Sequence, residues 1–66
     1  MEQVRAAIAT LRRLIGLHRM EEKRLRAILV DEPCDQIRTQ TQSDLENLLK
    51  SIKYDEVELA RLEAQE

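Results

Sequence analysis

The stretch "VDEPCDQ", residues 30–36, holds the one strong break in this chain, and its reading decides the fold. Pro33 lacks an N–H and disfavours helix in the residue before it. Proline is nevertheless at home in the first turn of a helix, where a backbone N–H has no intrahelical partner. With Asp31 or Glu32 as the N-cap and Asp35 in the same first turn, where the helix dipole favours an acid, the segment ends one helix and starts another. The expectation is a helix over about residues 2–30, a turn over about 31–33 and a helix over about 34–64, forming a single helical-hairpin domain over 1–66. A competing start lies at "SDLE", residues 43–46, a capping box of Ser43 and Glu46. Its use makes 31–42 a long loop, which is uncommon between helices joined this closely.

Outward from the break, the composition is that of long helices. The chain has 66 residues, 36% of them charged, with no Trp or Phe, one Tyr, one Gly and one Pro. A chain this short has only a marginal core of its own. Its one cysteine, Cys34, excludes an internal disulfide, and no Cys/His set suits structural zinc. Oligomerisation, or a larger partner, remains as the route to stability. The expected class is therefore all-α: an antiparallel two-helix hairpin, coiled-coil-like, dimerising into a four-helix bundle.

Two apolar rows overlap on the first helix, each with steps of four and three residues. One is Val4, Ile8, Leu11, Ile15, His18, Glu22, Leu25 and Leu29; the other is Ala7, Leu11, Leu14, His18, Glu21, Leu25 and Ile28. The second helix has one narrow row, Thr41, Leu45, Leu48, Ile52, Asp55, Leu59 and Leu62, which Cys34 and Ile37 extend towards the turn. A narrow row leaves part of the wide one uncovered, so Ala7, Leu14, Leu17, Leu25 and Ile28 form the expected dimer face. Tyr54 and Val57 project away from the second row, as scattered surface apolars or the start of a small docking patch.

Folding the chain about residues 31–32 sets residue n opposite about 63 − n, as in an antiparallel helical hairpin. His18 then faces Leu45, and Glu21 and Glu22 face "RTQTQSD", residues 38–44. That meeting predicts a polar layer or partner site of His18, Glu21, Glu22, Thr41 and Asp44. A buried polar layer of this kind fixes register. The H-x-x-x-E spacing of His18 and Glu22 puts two ligands on one face, which falls short of a zinc set.

Residues 1–30 carry seven Arg/Lys and three Glu, and residues 31–66 carry four Arg/Lys and ten Asp/Glu, so the halves suit pairing with one another. Arg5, Arg12, Arg19 and Arg26 recur every seven residues, with Lys23 on the same side. Interhelical pairing predicts Arg5 opposite Glu58 and Arg19 opposite Asp44, with Asp55 near Ile8 and in reach of Arg5 or Arg12. The other reading of this basic stripe is contact with nucleic-acid phosphates, although no aromatic side chain lies beside it to stack a base.

No nucleophile–base pairing, phosphate loop or ligand cluster points to an enzyme, and no cofactor or metal is expected. The N-terminal stretch is broken by Arg5, Arg12 and Arg13 and lacks a secretory apolar core. With the free thiol this predicts a cytoplasmic protein without a membrane role. The expected function is a non-enzymatic interaction or regulatory module that acts through a helix face of a homodimer and binds an unidentified protein. An RNA- or DNA-binding regulator and a subunit that folds on a larger partner are the alternatives.

Overall fold

Alanine, leucine, arginine, glutamate, glutamine and lysine dominate both halves of the chain, and all are strong helix formers. In the computed structural model, which describes residues 2–65, they form two long helices, α1 (Glu2–Asp31) and α2 (Asp35–Glu63). The helices pack against each other as a hairpin 50 × 15 × 12 Å in extent. Both inner rows are those expected. Val4, Ile8, Leu11, Ile15, His18, Glu22, Leu25 and Leu29 are all buried or half-buried in α1, as are Thr41, Leu45, Leu48, Ile52, Asp55, Leu59 and Leu62 in α2. Ile52, at 2% exposure, is the most enclosed side chain.

The turn differs in detail from the expectation. Helix α1 continues to Asp31, and the Glu32 N–H donates to the Ile28 carbonyl at 2.9 Å. The N-cap of α2 is Cys34, with φ −80° and ψ 121°, rather than Asp31 or Glu32. Proline explains the shift: it holds Glu32 out of helical conformation and sits before the helix instead of inside it. Glu32 still serves the turn, because its Oε1 accepts the Cys34 N–H at 3.0 Å. The Cys34 side chain makes no cap hydrogen bond. Asp35 takes the first helical position, and Ser43 and Glu46 lie inside α2, so the competing start is not used.

The register also differs. Across the hairpin Arg12 meets Glu63 at 2.8 Å, Arg19 meets Glu56 at 3.2 Å, and His18 approaches Asp55 at 3.5 Å. Side chains therefore meet where residue numbers add to 73–75. Two effects raise this total above the expected 63. The turn is centred on Pro33 rather than on 31–32. Helical side chains also lean towards the N-terminus of their own helix, so in an antiparallel pair each contact is made from residues further along both helices. One consequence is that α1 does not cover the first turn of α2. Cys34 is exposed and Ile37 is 47% exposed, instead of extending the buried row.

Candidate functional site

Two ridges on opposite sides of α1 give the hairpin unlike flanks. Residues two apart on a helix point about 200° away from each other, so the ridge of Arg12, Arg19 and Arg26 lies opposite that of Leu17. On the arginine side, Arg12 donates to Glu63, and Arg19 donates to Glu22 at 2.9 Å and to Glu56 at 3.2 Å. Arg26 donates to the other oxygen of Glu22 at 3.0 Å. The result is a chain from Glu56 through Arg19 and Glu22 to Arg26 that ties the two helices together. The Arg19 hydrogen bond, then that of Arg26, holds the Glu22 carboxyl below the ordinary glutamate value. Among the described residues, guanidinium–carboxylate pairs between the helices occur on this flank alone.

Pairing of Arg19 with Asp44, and of Arg5 with Glu58, is replaced by these contacts. Glu58 accepts from Arg61 of its own helix, a hydrogen bond that lowers its carboxyl. Asp44 accepts from the side-chain amide of Gln40 at 3.0 Å. In the predicted basic stripe, Arg12, Arg19 and Arg26 are thus engaged by carboxylates, while Arg5 and Lys23 are exposed.

The other flank is open, with apolar residues on either side of a charged pair along its α1 ridge. Leu14, Leu17, Glu21, Arg24 and Ile28 follow the three-and-four spacing of one ridge on α1. Leu17 is 56% exposed, Leu14 is exposed, and Ile28 is half-buried. In the middle of the ridge, Arg24 donates to Glu21 and holds that carboxyl below its ordinary value. Glu21, Arg24 and Leu25 line a shallow groove together with Asp44, Asn47, Leu48 and Ser51 of α2. Of the five residues expected at a dimer face, Ala7, Leu14, Leu17 and Ile28 border this flank. Leu25 does not: it is 6% exposed and belongs to the hairpin's own core. The two rows share position 25, and α2 covers it.

The predicted polar layer divides. Instead of facing Leu45, His18 turns its Nδ1 towards Asp55 Oδ2. The register shift moves Asp55 away from Ile8 to this contact. No hydrogen bond forms at 3.5 Å, and His18 Nδ1 is buried without a hydrogen-bond partner. Glu22 goes to the ionic flank, and Glu21 shares the shallow groove with Asp44. Thr41 is buried in the inner row of α2, about 21 Å along the helix from Asp55 at 1.5 Å per residue, and takes no part in the His18 contact. His18 and Glu22 therefore turn to different partners, Asp55 and the Arg19–Arg26 pair. Asp55 was recognisable in the sequence as the polar residue interrupting the α2 row, just as His18 interrupts that of α1. Matching the two interruptions to each other, rather than to the longest polar run, finds this contact.

Among the described residues no helix is long and apolar enough to cross a membrane, and no group of His, Cys, Asp and Glu side chains is placed to hold a metal ion. Comparisons with protein-family models, curated proteins and solved structures found no match to this chain.

Proposed function

We propose that this chain is a small non-enzymatic protein-interaction module, regulatory in kind, whose working unit is a homodimer joined through the open flank of α1. The observation that carries the reading is the uncovered apolar ridge of Leu14, Leu17 and Ile28 beside so small a core. Among the described residues, only Ile8, Leu25, Leu45 and Ile52 are buried apolar side chains. The hairpin exposes 5200 Å², whereas size scaling for a compact 7.7 kDa monomer gives about 4300 Å². The excess, about 900 Å², is close to the roughly 800 Å² that one partner buries in a standard interface. In the bundle, α2's outer face remains available to another protein, with Val57 exposed on it.

Sedimentation equilibrium and thermal melts over a tenfold concentration range test this reading. A dimer whose melting temperature rises with concentration supports it. A folded monomer with a concentration-independent melt overturns it, and a disordered monomer favours a subunit that folds on a larger partner. Engagement of Arg12, Arg19 and Arg26 by carboxylates weighs against the nucleic-acid alternative. Binding of mixed RNA or DNA at about 50 mM salt, lost steeply as salt rises, would restore that alternative.

A further inference from the structure

The open flanks of two hairpins can be pressed together about either of two two-fold axes, and the charges of the helices distinguish them. Helix α1 carries seven Arg/Lys against four Asp/Glu, a balance of +3, and α2 carries four against seven, a balance of −3. An axis perpendicular to the helices lays α1 on α1 and α2 on α2, so that helices of like net charge lie side by side in both pairs. An axis parallel to the helices lays α1 of each copy on α2 of the other. We propose that a second copy of this chain seats on the open flank about an axis parallel to the helices, so that both turns lie at the same end of a four-helix bundle. This deepens the homodimer reading and rests on it.

Every neighbouring pair in this arrangement is antiparallel and oppositely charged, both within a hairpin and between the two. Levels along the bundle agree as well. Arg24 and Asp44 line the same groove, so each Arg24 comes to the level of the second copy's Asp44. That gives the ridge's one guanidinium an additional carboxylate at the rim. His18 pairs with Asp55, so their neighbours Leu17 and Tyr54 share a level, and both are exposed. The rotation brings Leu17 of each copy towards Tyr54 of the other, covering both with apolar contact. Opposed charges of this kind choose partners and orientation more than they add affinity.

Cys34 makes the test direct, because it is the only cysteine, is exposed and sits at the turn. Spin labels on Cys34 of the full chain, measured by pulsed electron paramagnetic resonance at a concentration where sedimentation shows dimer, report the distance between the two turns. The expected result is one short distance of about 20–30 Å, two helix diameters plus the label arms. A long distance approaching the 50 Å extent of the hairpin overturns the parallel axis and leaves the homodimer standing. A chain that sediments as a monomer and gives no intermolecular distance overturns both.

Discussion

His18 Nδ1 and Asp55 Oδ2 lie 3.5 Å apart in the seam between the two helices, with no hydrogen bond between them. Each is a polar residue in a mainly apolar inner row, and each comes opposite the other across the seam. Removing one member of such a pair strands the other, whereas replacing both with apolar groups removes the desolvation cost altogether. His18→Leu alone leaves the Asp55 side chain, 13% exposed, without its neighbour. We expect that variant to melt no higher than the parent. The double variant with Asp55→Leu should gain about 1 kcal/mol or more. A double-mutant cycle of thermal melts by circular dichroism measures both, and a single variant as stable as the double one contradicts the pairing.

Leu17 stands on the open flank at more than half exposure, so replacing it removes little from the hairpin itself. A surface change away from packed contacts shifts stability by about 0.5 kcal/mol or less. Leu17→Glu should therefore keep the helical signal of an isolated hairpin while halving the mass seen in sedimentation. A dimer that survives the substitution places the interface elsewhere.

Gly16 lies in the middle of α1, and a Cβ built on it meets nothing within 4 Å. Glycine in a helix interior costs about 1 kcal/mol relative to alanine. Gly16→Ala should raise the melting temperature by about 4–8 °C, the response of a domain this size to 1 kcal/mol. An unchanged or lower value indicates that a partner approaches the backbone here.

Cys34 caps α2 with extended backbone geometry and no side-chain hydrogen bond. Serine has the same shape and a far better acceptor for the second or third N–H of the helix. Cys34→Ser should stabilise the hairpin by up to about 1 kcal/mol, read as a higher denaturation midpoint in urea.

Glu21, Glu22 and Glu58 each have a carboxyl held below the ordinary value by a hydrogen bond from Arg24, Arg19 or Arg61 respectively. A carboxylate whose folded value is depressed contributes stability above its unfolded value and loses it as pH falls through the folded one. The melting temperature should therefore decline as pH drops below about 4, near the ordinary glutamate range. Glu22→Gln should flatten part of that decline, since Glu22 accepts from both Arg19 and Arg26. A pH slope identical to the parent's would show that these pairs do not persist in solution.

Periodicity and one proline were enough, from the sequence alone, to determine two long helices, the break between them and the inner row on each. These features are local. The spacing of Val4, Ile8, Leu11 and Ile15, or of Leu45, Leu48 and Ile52, is written in neighbouring residues and needs no knowledge of the other helix. Tertiary structure decided which side chains meet. Arg19 pairs with Glu56 rather than Asp44, His18 approaches Asp55 rather than Leu45, and Leu25 is taken by the hairpin's own core. Register depends on where the turn is centred and on the lean of side chains towards the start of their own helix, and in an antiparallel pair both displace every contact in the same direction. Periodicity is unchanged by such a displacement. It could therefore identify the apolar rows, while only the packed pair could show which residues of the wide α1 face remain uncovered.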